Sequence, residues 1–596
     1  MKSFAFSLKN VHWGACSLIL AVIAVLGLGV PQPVFARDML SDMAFFSGIK
    51  DRSTGTPGAE KAADYILKAF REAGLTEVGV QDYLTPIPEV ISSSIEIDGR
   101  SLEIYPWGPN MVYLPTTPAE GLSGRLIYAG NGNFTQFNNK EVKGSIVLMD
   151  MASYGNWLNA SMLGASALIF LGDKDSIKGD FKEKNIPTPL AFPRFWAPAE
   201  LGEQLKQLAL AESTTATVKS KTRWQHKMAR NCYGLIPGKS PELSKDLIVV
   251  DTFYDASSHI LGLAPGAGES TSIAMMLLLV RELAKNPPDR SVLFVATSGN
   301  GQGLAGMRQF VWTATTRRKL LRREKKQLTD DKEQVEHQIA LLQEGDPFSI
   351  EDPADRALIW EIVIERAKNR ADELTRELQY QKTASRGGAE VDLTEARPFR
   401  RLSWVTKMQD LTPEQKTLAE ELLRGVIPDL KIKLDELKLR RTVFRSTEKL
   451  AKILGEFEPV LYLDLNLSSH SPFVGLTELG HTYPIREDVK RIVRARRLAD
   501  ILTETGDQAS LETGIPNVFK NLLKGDAAQG SFGLCHTEAC LCCDIAAIGG
   551  LPAVSLVTLD DNRSLWSTPN DTLDRVDTQN IETLQRFFPA FLSKLF

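Results

Sequence analysis

One segment of the chain alternates between two short β-branched runs and a longer apolar stretch. The runs 246–250 and 291–296 have the length and composition of buried strands, and 272–284 has those of a buried helix. A strand–helix–strand order joins parallel strands by a crossover, and such strands are covered by helices. The same texture returns from residue 460 onward. We therefore predict an α/β fold with a mostly parallel mixed sheet flanked by helices.

A highly charged stretch, residues 316–455, separates these α/β segments and is predicted to be a helical insert. Apolar residues are spaced as in a coiled coil at Leu321, Leu328, Val335, Ile339 and Leu342, and again at Trp360, Ile364, Ala367, Ala371, Leu374 and Leu378. A Gly-Asp-Pro turn at 345–347 lies between the two series, so the simplest prediction is an antiparallel helical hairpin. An unbroken helix from Leu304 to Glu344, about 60 Å long, is a further expectation.

Residues 105–225 have a different pattern. Short β-branched or aromatic runs at 125–128, 144–149 and 167–170 are bounded by Gly, Asn or Asp. This spacing predicts a β-rich domain inserted into the α/β fold.

The N-terminus carries a targeting signal. Two lysines precede an apolar run at 16–30, and Val-Phe-Ala at 34–36 matches a signal-peptidase site. We predict that residues 1–36 are a signal peptide and that the protein is exported to the periplasm or outside the cell. A retained N-terminal anchor is the alternative, and we expect membrane association only through it. The net charge of −4, without a long basic run, argues against a nucleic-acid partner.

Several blocks of the chain, in order, resemble one enzyme family; they are 52–75, 233–238, 247–311, 461–467 and 566–572. Together they resemble the co-catalytic zinc exopeptidases of peptidase family M28, which include secreted aminopeptidases and glutamate carboxypeptidases. The resemblance implies an exopeptidase-like domain formed by 37–104, 226–315 and 456–596. It also implies that 105–225 is a protease-associated domain.

The resemblance further implies a metal site. Enzymes of this family hold two zinc ions with two histidines and three carboxylates, and a further glutamate is the general base; these donors suit zinc. The first histidine position is Phe253 here, whereas Asp255, which matches the carboxylate that orients this ligand, is retained. The bridging aspartate position is Glu269, which is acidic but one methylene longer.

The remaining positions depart further from the family pattern. The general base and the adjacent ligand glutamate correspond to Asn300 and Gly301, and the last histidine corresponds to Ser567. Only Asp464, at the fourth ligand position, matches outright. We therefore predict that di-zinc peptidase catalysis is lost and that no cofactor is bound, with zinc expected only if the site has been rebuilt.

Two groups of residues offer ligands for a rebuilt site. His259 follows the altered position Phe253 and His470 follows the retained Asp464, each by six residues, and both could border the same cleft. The second group is the cluster of Cys535, His536, Cys540, Cys542 and Cys543. Its residue types suit zinc or copper(I), but its spacing matches no standard zinc finger, and local disulfides or buried thiols are the plainer explanation.

These observations favour an exported pseudoenzyme, a binding or scaffold protein whose protein or peptide partner the sequence does not identify. One alternative is an active aminopeptidase-type metallopeptidase with a rebuilt metal site. The other is a thiol- or metal-handling role for the cysteine cluster at 535–543.

Overall fold

The structure is a computed structural model that describes residues 34–186, 188–211, 213–384, 394–477, 489–515, 517–522 and 541–595. Most of the predicted signal peptide lies outside these residues, as do Cys535, His536 and Cys540. The chain divides into two compact units, one formed by Met1–Ala314 with Lys452–Phe596 and the other by Thr315–Ala451. Within the described residues, no helix has both the length and the apolar character needed to cross a bilayer.

Strands occur in the larger unit. In chain order they are β1 (Thr76–Ile97), β2 (Arg100–Glu103), β3 (Tyr105–Pro106), β4 (Leu122–Tyr128), β5 (Ile146–Asp150), β6 (Ala167–Leu171), β7 (Arg194–Ala197), β8 (Thr215–Ile236), β9 (Asp246–Phe253), β10 (Ser291–Thr297), β11 (Glu458–Asn466), β12 (Val474–Thr477), β13 (Phe519–Asn521) and β14 (Ala553–Thr558).

Helices occur in both units. In chain order they are α1 (Val34–Ser47), α2 (Pro57–Glu72), α3 (Trp157–Met162), α4 (Lys178–Lys182), α5 (Ala199–Leu210), α6 (Thr271–Lys285), α7 (Ala305–Thr315), α8 (Arg318–Gln343), α9 (Pro353–Ala384), α10 (Arg397–Leu402), α11 (Pro413–Leu423), α12 (Val426–Leu454), α13 (Val489–Thr513), α14 (Cys542–Ile548) and α15 (Thr578–Leu595).

The described strands form one continuous mixed sheet in the order β13-β12-β14-β11-β9-β10-β8-β4-β5-β6-β7-β3, and β1 pairs with β8 and β2. At its centre β9 is parallel to β10 and β11, and β11 is parallel to β14. β8 and β12 run antiparallel to their neighbours β10 and β14. The predicted α/β fold class is confirmed.

Apolar burial between helices and this sheet forms the main core. Helix α6 is buried along its length from Thr271 to Val280, as its nearly continuous apolar sequence requires. Its side chains join those of α1, α2 and α15 and one face of the central strands in a single cluster. Removal of this apolar area from water is the dominant favourable term in folding.

Residues within 105–225 form a second layered region. Strands β4 to β7 are parallel and carry a separate apolar cluster on each face. Strands β1 and β8 connect this region to the central sheet as a long antiparallel ribbon, paired from Thr76 with Leu235 to Glu96 with Thr217. The ribbon therefore takes part in both regions of the sheet.

The smaller unit is helical in its described residues. Its core contains Val335 and Ile339 of the first predicted seam, together with Ile359, Val363 and Ala367 on α9. Side chains from α10, α11 and α12 complete this core, which makes it broader than the predicted two-helix hairpin. The seam pattern therefore reflects burial within a bundle of several helices.

The expected unbroken helix from Leu304 to Glu344 is wrong. Helix α7 ends at Thr315, and α8 begins at Arg318. Arg317 has φ −68° and ψ 136°, an extended conformation that cannot continue the i to i−4 hydrogen bonds of a helix. Leu304 itself has φ 57°, in the left-handed region, and so precedes the first helix.

Candidate functional site

Most residues at the positions matched to the family's metal site lie at or beyond the carboxyl ends of the central strands; Asp464 lies within β11. Phe253 ends β9 and is paired with Thr297, which ends β10. Loops that follow parallel strands meet at this edge of the sheet, which is where open α/β folds form their sites. The segment before α6, which contains Glu269, and the segment around Ser567 lie beside these strand ends.

Asp255 anchors the turn that carries Asn300. Its buried carboxylate accepts hydrogen bonds from Thr54 Oγ1 at 2.5 Å, from the Gly299 amide at 2.7 Å and from the Asn300 amide at 3.4 Å. Burial raises the pKa of Asp255 to about 6, and the Thr54 hydrogen bond opposes this shift most strongly. Asp255 thus fixes the position of Asn300 through the backbone.

Glu269 is buried and depends on Ser257 for its hydrogen bonds. The Ser257 amide donates to Oε2 at 3.1 Å, and the Ser257 hydroxyl lies 3.1 Å from Oε1. Burial and the nearby Asp571 carboxylate raise the pKa of Glu269 to about 8, whereas Arg52 acts in the opposite direction. Both oxygens of the carboxyl group at the bridging position therefore already take part in hydrogen bonds with Ser257.

Ser257 also contacts two of the altered positions. Its hydroxyl oxygen lies 2.7 Å from that of Ser567, which has φ 62°. A Cβ atom added at Gly301 would lie 3.1 Å from the Ser257 Cβ. Gly301, Glu269 and Ser567 therefore converge on one serine side chain. The sequence analysis missed Ser257, because nothing in its local pattern marks it.

The remaining histidine position is apolar. The ring of Phe253 packs edge-on against Trp566, with 5.7 Å between the ring centroids. The Arg563 guanidinium lies 4.7 Å from the Trp566 ring. Aromatic packing therefore fills the space beside Phe253.

A buried cation stabilises the loop that carries Glu269. Arg52 donates to the carbonyl oxygens of Pro265 at 3.1 Å and Gly266 at 2.9 Å. The carboxylates of Glu269, Asp571 and Asp255 surround it and raise its pKa, although burial lowers that pKa overall. Asp571 in turn accepts a hydrogen bond from the Gly268 amide at 2.7 Å. Arg52 partly neutralises three buried acids and so allows them to coexist.

These residues do not fit the two zinc ions that the resemblance implies. Phe253 and Gly301 offer no ligand atom, and the Ser567 hydroxyl is a weak substitute for imidazole. Glu269 already has hydrogen-bond partners at both oxygens. The matched positions at this edge of the sheet lack the imidazole nitrogens that hold zinc in the family.

Asp464 belongs to a separate group. It is paired with Asp251 across β11 and β9, two residues before Phe253. It accepts a hydrogen bond from Ser555 Oγ at 2.5 Å, and burial raises its pKa to about 6. The Thr252 hydroxyl reaches the Leu465 carbonyl at 2.9 Å, so Asn466 is the β11 residue beside Phe253.

The structure therefore separates Asp464 from Glu269, the two positions that remain acidic. Asp464 lies instead with Asp251 and the Cys542 thiol. Sequence analysis did not single out Asp251, although a lone acidic residue within an apolar strand was a usable signal. Of the predicted cysteine cluster, only Cys542 and Cys543 are described; both are buried, and Cys542 is a free thiol.

The two candidate histidines have other neighbours in the structure. The His259 ring lies beside Asn185, 3.3 Å from its amide nitrogen, and stacks on Phe181. The His470 ring lies 3.3 Å from Ser468 Oγ and acts electrostatically on Asp571. In the described part of the chain, neither joins a cluster of three metal-ligating side chains.

Comparisons with known proteins agree with the predicted resemblance. No family model matches the chain. The aminopeptidase YwaD of Bacillus subtilis is 27% identical over 286 residues, which are 47% of this chain and 58% of that protein. The match thus spans little more than half of the relative's length. The resemblance to the aminopeptidase family is confirmed by this match.

Solved structures give weaker likenesses. A zinc aminopeptidase from Bacillus subtilis has a TM-score of 0.46 and 15% identity, with 94% of this chain and 95% of that chain covered. A peptidase M28 precursor from Shewanella amazonensis has a TM-score of 0.43 and 10% identity, with 97% of each chain covered.

Proposed function

We propose that this chain is a non-hydrolysing relative of the zinc aminopeptidases that binds a protein or peptide partner. The observation that carries the proposal is the convergence of Gly301, Glu269 and Ser567 on the Ser257 side chain. One serine, Ser567, and one glycine, Gly301, stand at positions that the resemblance matches to metal ligands. Neither zinc nor a general base is then available to activate water.

Exposed groups support a binding role. Ser257, Asn300 and Ser567 are only partly buried and offer hydroxyl and amide groups to a ligand. A separate apolar patch consists of Met111, Val112, Tyr113 and Trp224, whose exposed fractions are 55%, 67%, 47% and 44%. The indole of Trp224 donates to the Val112 carbonyl at 2.8 Å and so fixes the patch. Exposed apolar groups of this kind are typical of protein-binding surfaces.

The test is peptide hydrolysis by the purified chain, supplied with zinc or cobalt. Short peptides with free N-termini and aminoacyl nitroanilides are the substrates, and the Bacillus subtilis aminopeptidase is the positive control. We expect no hydrolysis that a chelator abolishes. Hydrolysis that is lost both on chelation and in the Glu269→Gln variant would overturn the proposal and favour a rebuilt active site.

A restored variant provides the matched gain-of-function experiment. It combines Phe253→His, Asn300→Glu, Gly301→Glu and Ser567→His. We expect it to bind more zinc at equilibrium dialysis than the unchanged chain, because it regains two imidazoles and a ligating carboxylate. Equal zinc binding by the restored variant and the unchanged chain would contradict the explanation that ligands are missing.

The binding role is tested with peptides whose N-termini are free or acetylated. We expect the unchanged chain to bind a subset of them without cleavage, and Trp224→Ala to weaken binding of larger protein ligands only. Complete absence of binding to immobilised peptide arrays and to proteins of the export compartment would count against the proposed role.

A further inference from the structure

Three buried side chains from different elements meet below the edge of the sheet. Asp251 lies on β9, Asp464 on β11, and Cys542 begins α14. One ligand atom from each lies within 4.8 Å of the others, and all three residues are buried. Asp251 and Asp464 are 0% exposed, and Cys542 is 2% exposed.

The hydrogen bonding of this group is incomplete. Neither carboxylate oxygen of Asp251 accepts a hydrogen bond of ordinary geometry from a described residue, and Asp464 Oδ1 likewise accepts none. The groups that face Asp251 are Asp464, the Cys542 thiol and the Tyr462 hydroxyl, and none of these is a cation. A buried carboxylate without a partner is costly, so such a group requires an explanation.

We propose that Asp251, Asp464 and Cys542 bind a zinc-class divalent cation as a structural site. Two carboxylate oxygens and one thiolate sulfur are a donor set that zinc accepts, and the ion would neutralise most of the buried negative charge. On binding, the S–H bond of Cys542 and the O–H bond of any proton held by the Asp251–Asp464 pair break as the sulfur–metal and oxygen–metal bonds form, and these protons leave to solvent. The Tyr462 hydroxyl, which lies near Asp251, donates to Met307 Sδ at 3.0 Å.

This site shares Asp464 with the positions matched to the family's di-zinc ligands, but its other two members, Asp251 and Cys542, are not matched positions. Asp251 precedes Phe253 by two residues on β9, and Cys542 comes from a helix that contributes none of the matched positions. The site joins β9, β11 and α14, and Ser555 of β14 holds Asp464 from the other side. Its role is to fix α14 against the sheet, and it does not require peptide hydrolysis.

The competing explanation is a proton shared between the two carboxyl groups with no metal present. Burial and Asp464 raise the pKa of Asp251 well above its usual value, as that explanation also requires. The two explanations differ in their response to metal. A structural ion makes stability depend on metal concentration, whereas a shared proton does not.

The experiment uses the full chain, reduced and stripped of metal, and then titrated with Zn²⁺ or Co²⁺. We expect one equivalent of cobalt to produce a thiolate-to-cobalt charge-transfer band and visible bands of tetrahedral intensity. We also expect zinc to raise the thermal unfolding midpoint. Absence of both changes overturns the proposal and leaves the shared proton as the explanation.

Variants assign the ligands. Asp251→Asn and Cys542→Ser should each lower cobalt affinity at least 10-fold, which is the order of loss seen when a metal site loses a supporting group. Cys542→Ser should also remove the charge-transfer band. Cys232→Ser, which removes another buried thiol, and Glu269→Gln, which alters the family's bridging position, are the controls and should leave both signals unchanged. Full affinity in Asp251→Asn would show that Asp251 is not a ligand, and a charge-transfer band that persists in Cys542→Ser would arise from other thiols; either result would overturn the proposal.

Discussion

At the scale of single residues, Ser257 supplies the hydrogen bonds on which the buried Glu269 carboxyl group depends. Replacement by alanine removes the hydroxyl and leaves Glu269 Oε1 without that partner. We expect Ser257→Ala to lower the free energy of unfolding by about 1–3 kcal/mol, which is the usual cost of an unsatisfied buried group. Urea unfolding measures the change. Ser567→Ala, whose hydroxyl contacts Ser257 and not Glu269, should have the smaller effect; equal losses would contradict this assignment.

His259 makes stability depend on pH. Burial, together with Lys178 and Lys182, lowers its pKa from 6.5 to about 4. The unfolded chain therefore binds more protons than the folded chain between these values, so stability should fall as the pH drops through this window. The loss is at most roughly 3.4 kcal/mol, because each unit by which the pKa is lowered corresponds to 1.36 kcal/mol. In His259→Asn the unfolding free energy should vary less between pH 7 and pH 4.

The matched control for this pH dependence is His226→Asn, at an exposed position on β8. It should retain the pH profile of the unchanged chain. If both variants showed the same profile, another group would be responsible for the acid sensitivity.

At the scale of elements, Arg52 joins the segment before α2 to the loop that leads into α6. Removal of its charge would leave three buried acids without a cation. We expect Arg52→Met to cost roughly 3–5 kcal/mol in unfolding free energy, the range for breaking a buried ion pair. Arg308→Met, at an exposed position on α7, is the control and should change stability by less than about 0.5 kcal/mol.

Close packing of α7 gives a second prediction at this scale. A Cβ atom at Gly306 would lie 2.2 Å from the Ser298 carbonyl oxygen and 2.3 Å from Asn231 Oδ1. Gly306→Ala should therefore shift α7 away from the strand end and lower the thermal unfolding midpoint by several degrees. Gly155→Ala is the control, since its Cβ would meet no atom within 4 Å. A stable Gly306→Ala protein would contradict the packing described.

The sequence predicted elements better than their junctions. Apolar periodicity identified β9, α6 and β10, because burial alone determines such runs. It did not predict the break at Arg317, where one extended residue precedes α8 and separates it from α7. Nor did it predict that Asp464 lies beside Asp251 and Cys542, because strand register and long-range neighbours are not encoded in local pattern. The convergence on Ser257 likewise depends on contacts between distant parts of the chain.

At the scale of the whole molecule, the helical unit Thr315–Ala451 is an insertion between two parts of the α/β unit. None of the described residues in the main apolar cluster belongs to it. Ala314 and Leu454, which flank it, line the same small cavity, so a short linker can join them. We expect a chain with Thr315–Ala451 replaced by a Gly-Ser linker to remain folded, with a sharp thermal transition and lower helical circular dichroism. Aggregation or loss of the transition would contradict this modularity.

The ribbon of β1 and β8 has a consequence for how the molecule opens. Its strands pair with each other over nearly their full length, while β8 also pairs with β10 at one end and with β4 at the other. Amide protons along it can exchange with water only when these ladders separate. Slow deuterium uptake should therefore extend without interruption from the central strands into residues 215–225, and the two regions of the sheet should be lost as one cooperative unit.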